Sequence, residues 1–121
     1  MKTPGPDHPI TITPNRKRIR VSVGQTVIAD TTCALTLKEA TYPAVQYIPR
    51  GDASMADLVR SGRVTHCPYK GDANYYSIKT DGQFIADSIW TYETPYPAMA
   101  EIAGYLAFYP DKVAIEELPG D

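Results

Sequence analysis

The sequence predicts a mainly β protein, with two small antiparallel sheets packed against one another and one or two short helices. Three observations carry that prediction. Apolar residues come in short runs separated by Gly, Pro and Asp, the punctuation of strands and turns. Helix signals are confined to two brief stretches. The chain also repeats itself: Gly24-Gln25-Thr26-Val27-Ile28-Ala29-Asp30-Thr31 recurs, one residue shorter, as Gly82-Gln83-Phe84-Ile85-Ala86-Asp87-Ser88. Tyr42-Pro43-Ala44 recurs as Tyr96-Pro97-Ala98, and Tyr47-Ile48-Pro49 is echoed by Phe108-Tyr109-Pro110. Three echoes in one order divide the chain into two pseudo-repeated halves. Each half supplies a sheet whose apolar face must be covered by the other.

The elements follow in order. Residues 1–14 carry several prolines and no apolar stretch of the kind a signal peptide needs, and read as a flexible N-terminal arm. A single domain is expected over residues 15–121. Its first half holds strands at Arg18 to Val23, Thr26 to Ala29, Ala34 to Lys38 and Val45 to Ile48. The second half opens with Val64 to Tyr69, confined to an edge or an end because Pro68 has no N–H for the ladder. Strands at Tyr75 to Lys79 and Gln83 to Ala86 are joined by Asp81-Gly82, a hairpin signal because the turn needs positive φ. Ile89 to Tyr92, Tyr105 to Phe108 and Val113 to Glu116 complete the set. Ser54 starts a short helix through Leu58, and Pro97 starts another that runs to Ile102 and stops at Gly104. Val21, Ile28, Leu37, Ile85, Ile89 and Phe108 are the expected core, each worth about 1.5–3 kcal/mol when fully buried.

Composition narrows the partners. A chain of 121 residues, 43% hydrophobic and 21% charged, is one soluble globular domain. Net charge is −2 and one basic cluster stands out, Arg16-Lys17-Arg18-Ile19-Arg20. Tracking phosphates takes many more cations, so nucleic acid is not an expected partner. No apolar run reaches the about 18 residues of a membrane span, so the expected location is cytoplasmic, with no membrane partner. Cys33 and Cys67 show no CxxC spacing and read as free thiols; no metal site and no cofactor are expected.

The chemistry-bearing stretch is Thr65-His66-Cys67-Pro68-Tyr69-Lys70-Gly71, followed by Tyr75-Tyr76. Cys67 is a nucleophile if its thiolate is favoured, or a small buried thiol if it is not. Strand alternation turns Thr65, Cys67 and Tyr69 one way and His66 and Lys70 the other, so His66 is a poor base for Cys67. Lys70 beside Gly71 projects from a strand end, either toward an anionic or carbonyl-bearing ligand or into solvent. Glu39 shares a face with Leu35 and Leu37. It is either a buried acid paired with Arg18 or Arg20, or an exposed strand end. Arg18 and Arg20 contact an anion or are solvated. Tyr47, Tyr75, Trp90, Tyr92 and Tyr109 supply ring surface for a core or for a cleft.

The motifs are similar to those of a family catalogued as domain of unknown function 427. The resemblance rests on Arg18-Ile19-Arg20, Ile28-Ala29-Asp30, and Tyr47-Ile48-Pro49 with Asp52. It continues through Thr65 to Gly71 with Ala73 and Tyr75-Tyr76, then Trp90-Thr91-Tyr92 and Pro95. It ends with Ile102-Ala103-Gly104-Tyr105-Leu106-Ala107-Phe108-Tyr109 and Val113, covering about residues 15 to 118. Gln46 stands where that family commonly has an aromatic, and Tyr76 where Trp is common. The resemblance implies a β-tent, Mss4-like fold with two antiparallel sheets leaning together at a steep angle. Zinc-bearing domains of similar fold use cysteine pairs, which this chain lacks, so the metal does not carry over. The family is sometimes filed as nucleotidyltransferase-like. That chemistry needs paired carboxylates such as Asp-x-Asp to hold magnesium, and no such pair occurs here.

The leading expectation is a small-molecule-binding domain with an aromatic cleft between its sheets, the ligand oriented by Lys70, Arg18, Arg20 and Glu39. The alternatives are an enzyme using Cys67 or Lys70, and a protein-interaction module or homodimer formed over an exposed sheet edge.

Overall fold

Ten strands and three short 3₁₀ segments make up the computed structural model, which describes residues 1–120. The strands are β1 (Ile10–Asn15), β2 (Arg18–Val23), β3 (Thr26–Thr31), β4 (Ala34–Glu39) and β5 (Val45–Tyr47), then β6 (Leu58–Cys67), β7 (Gly71–Thr80), β8 (Gln83–Thr91), β9 (Leu106–Phe108) and β10 (Ala114–Leu118). Every pairing is antiparallel. The mainly β class with few short helices is as expected, but the strands form three sheets rather than two: β1-β4-β5, β10-β2-β3 and β6-β7-β8-β9. The first half splits because the chain leaves β3 at Thr31. Its hydroxyl accepts the Cys33 N–H at 2.9 Å and donates to Asp52 at 2.7 Å, a side-chain-capped turn that aims β4 away from β3.

Residues 10–14, read from sequence as the end of the arm, are strand. Ile10-Thr11-Ile12-Thr13 alternates, and Ile10 and Ile12 pack on the core beside Leu37, opposite Glu39 and Leu37 of β4. Pro14 is tolerated because β1 is an edge strand. Before β1, the Lys2 N–H donates to the Pro68 carbonyl at 2.7 Å, and Gly5 and His8 form an isolated bridge.

Two hairpins bear the repeated turn sequence. In β7–β8, Asp81 and Gly82 both have positive φ, 52° and 71°, as a twist-matched two-residue turn requires. In β2–β3, Gly24 alone does, at 57°. The turns meet in space: Thr26 donates its hydroxyl proton to the Asp81 carboxylate. Just beyond β5, Ile48 exchanges both backbone hydrogen bonds with Leu106 of β9, each 2.8 Å, tying the β1-β4-β5 sheet to the four-stranded one. The stretches Gln83 to Ala86 and Ile89 to Tyr92, read as two strands, are one strand interrupted by a bulge. Asp87 there takes φ 49° and its N–H donates to Ser77 Oγ at 3.0 Å. The two expected helices are 3₁₀: a single turn at Met55–Asp57, and Pro97–Ile102, which is kinked at the non-helical Met99 and followed after Ala103 by Gly104 at φ 76°. None of the described helices is long and apolar enough to cross a membrane.

Side chains of β7 and β9 are buried on both faces, and this creates two cores. Tyr76, Ile78, Leu106 and Phe108 join Val21, Ile28, Ile48 and Ile89 in one. Tyr75 and Ala107 turn the other way and join Leu37, Tyr47, Tyr92 and Ile102. The second core opens to the surface.

Candidate functional site

The opening is a cleft of about 240 Å³. Period-two alternation brings its walls together: Leu37 and Glu39 from β4, Val45 and Tyr47 from β5, Trp90 from β8 with Tyr92 just beyond it. Tyr75 of β7 lies directly across from Trp90 in the ladder, and Tyr109 follows β9. Trp90 stacks at a tilt on Tyr109, 4.5 Å between ring centres, and donates its Nε1–H to the Tyr47 hydroxyl at 3.1 Å.

Lys70 enters from the turn between β6 and β7, where Cys67 pairs with Gly71. Gly71 has φ 108°, a conformation side-chain-bearing residues rarely adopt, and the Lys70 carbonyl accepts the Tyr96 N–H at 2.9 Å. The backbone is thereby fixed and Lys70 is turned inward, only 6% exposed. Its ammonium donates to the Glu39 carboxylate, lies 3.9 Å from the Cys67 sulfur and 6.0 Å from the centre of the Tyr92 ring. The other Glu39 oxygen is 2.7 Å from His8 Nε2, and the His8 ring stacks on Tyr69 at 4.0 Å, nearly parallel.

These surroundings set the acid–base character. Burial pushes the Glu39 carboxyl up, but hydrogen bonds and charge from Lys70 and His8 outweigh it and hold the carboxyl below its ordinary value. Burial drives the Tyr47 and Tyr92 phenols far up, so both remain protonated donors. Tyr109 is pushed up to about 12 by burial and by Tyr75. Tyr75 goes the other way: burial raises it, but hydrogen bonds from Thr65, Tyr109 and Arg63, with the Arg63 charge, bring it below the ordinary phenol value. An ammonium has three N–H donors; Glu39 accepts one and the Cys67 sulfur lies near a second, leaving one for a ligand. The cleft therefore offers ring faces, protonated phenols, a lysine donor and a carboxylate already neutralised by its partners.

Residues 11–118 match the family described as a domain of unknown function (DUF427). The chain belongs to the DUF427 family. No curated protein matches it. The DUF427 match spans every residue named on the cleft walls and leaves out His8, which reaches Glu39 from before β1.

Seven of the nine ligand-binding residues expected from sequence line this one DUF427 cleft; Arg18 and Arg20 do not. Both arginines belong to the β10-β2-β3 sheet and reach Asp30, Arg18 at 2.7 Å through two nitrogens and Arg20 at 3.3 Å. The Arg18 hydrogen bonds are the main reason the Asp30 carboxyl sits below its usual range. Glu39 is neither paired with Arg18 or Arg20 nor an exposed strand end, the two readings left open by the sequence: it is half-buried and pairs with Lys70 and His8, because β2 and β4 lie in different sheets. Hairpin register already places Asp30 across from Arg20.

Cys67 is half-buried beside Lys70. Alternation was expected to separate the two, but it ends with β6 at Cys67, and the turn swings Lys70 back over the sulfur. His66 does face away, exposed and 2.8 Å from Asp72. Among the described residues, no three His, Cys, Asp or Glu side chains gather where they could hold a metal ion. Sequence reasoning did not place Leu37, Tyr42, Pro43 or Val45 on the cleft, and considered His8 only as a distant base for Cys67, not as a partner of Glu39. The alternating Ile10 to Thr13 was the available signal that the segment carrying His8 is tied down.

Proposed function

We propose that this DUF427 member binds a small molecule in the cleft between β4–β5 and β7–β8, with a carbonyl or carboxylate oxygen of the ligand accepting from Lys70. One observation carries the reading: a buried lysine paired with a half-buried glutamate forms part of a wall made mostly of aromatic rings. Taking such a pair out of water is costly, and a core needs no ion pair that apolar residues would replace without loss. A wall of rings with an oriented ammonium at one end suits a ligand that is mostly flat or apolar and polar at one end.

Trp90, the single tryptophan, lines the cleft and reports its occupancy by fluorescence. Titration with benzoate, which carries a ring and a carboxylate, is expected to change Trp90 emission saturably. Lys70→Met should remove that response while far-UV circular dichroism stays native. A flat titration of the wild-type chain, or full benzoate affinity in a folded Lys70→Met, defeats the proposal.

A further inference from the structure

A second cavity shares a wall with the cleft: Tyr42, Pro43, Val45 and Trp90 line both. It is a half-open hollow of about 430 Å³. Ile19, Val21, Ile48 and Phe108 form its floor, all buried in the first core. Ile115 of β10 and Tyr42 stand at its rim, 38% and 60% exposed. Among the described residues, no charged side chain lines it. Its polar atoms are few and mostly engaged: Trp90 donates to Tyr47, and Gln46 Oε1 accepts from Asn15 at 3.1 Å and Thr36 at 2.9 Å.

The two spaces differ in chemistry and meet along one partition. Alone, the cleft is smaller than the about 300–1,000 Å³ of ordinary ligand pockets; joined to its neighbour, it falls inside that range. Protein interiors seldom leave space larger than a water molecule, and the uncovered Ile115 and Tyr42 surface is what a hydrocarbon guest would remove from water. We infer that the ligand is an amphiphile. Its aliphatic tail occupies the apolar chamber, and its carboxyl or carbonyl end crosses the Val45–Trp90 partition to reach Lys70. The inference rests on the cleft reading proposed above and adds the tail.

The test is calorimetric titration of the full chain with butanoate, hexanoate, octanoate and decanoate, run beside benzoate. Affinity should rise about fourfold per added methylene until the chamber is full. Ala44→Phe narrows the chamber from an exposed position without touching Glu39 or Lys70. It should flatten the rise and leave butanoate and benzoate unchanged; Ile115→Trp, from the opposite rim, should do the same. Lys70→Met should weaken every chain length by a similar factor.

The failures are distinguishable. Benzoate binding that needs Lys70, with alkanoate affinity flat in chain length, overturns the amphiphile and leaves the cleft reading standing. A chain-length rise indifferent to Lys70→Met overturns the joined site. Silence from benzoate and every alkanoate overturns both. A flat series together with concentration-dependent dimers in sedimentation shows a second copy covering the chamber, and also overturns the inference.

Discussion

Lys70 and Glu39 each lose something different when cut. Lys70→Met leaves a carboxylate with His8 alone, whereas Glu39→Gln strands a buried ammonium beside a thiol. Removing one partner of a pair this enclosed is expected to cost on the order of 2–4 kcal/mol, and the double substitution should recover most of it. Urea denaturation of the four proteins gives the coupling directly. The pH dependence has a definite sign. The folded-state Glu39 carboxyl lies below its ordinary 4.5, so its contribution is fully present above that value and is lost as pH falls through the depressed one. Asp30 and Glu93, also depressed by arginine partners, add slope of the same sign. Wild type should therefore lose more stability between neutral and acid pH than Glu39→Gln does. The tyrosines and Trp90 were legible in the sequence because alternation decides which face a strand residue takes. The partner of Glu39 was not, because charge alone does not say which sheet a strand joins.

At the scale of elements, the turn between β6 and β7 does the positioning, and Gly71 makes it feasible. An alanine methyl there would meet only ordinary contacts, 3.6 Å or more, so the cost of Gly71→Ala comes from the backbone angle of 108°. It is expected at about 1–3 kcal/mol, with benzoate affinity reduced because Lys70 rides on the same peptide. The Asp81-Gly82 turn provides the control: Gly82→Ala strains its hairpin but should leave benzoate binding alone. Turn chemistry was readable from residue types, and strand positions followed from it. Bulges were not: Ala86 to Ser88 reads as a break between strands, and only the register shift across from Ser77 shows one continuous β8. Pro14 hid β1 in the same way, since a proline at a free edge looks like a proline in a loop.

Pairings between distant parts of the chain decide the whole molecule, and these were the least legible. β10 returns from the C-terminus to flank β2, and β1 reaches across to β4, so the first half contributes to two sheets. No local pattern specifies which edge receives β10. A chain ended after Asp111 should bare the β2 edge and uncover Val21 and Ile19, which β10 flanks. The expected outcome is association at concentrations where the full chain stays clear, followed by light scattering. β9 presents a further property. Leu106 and Phe108 press on one core and Ala107 on the other, so a single three-residue strand is a diaphragm between them. A diaphragm cannot yield on one side without moving on the other. Whatever fills the cleft thus leans, through one peptide's thickness, on the opposite half of the protein.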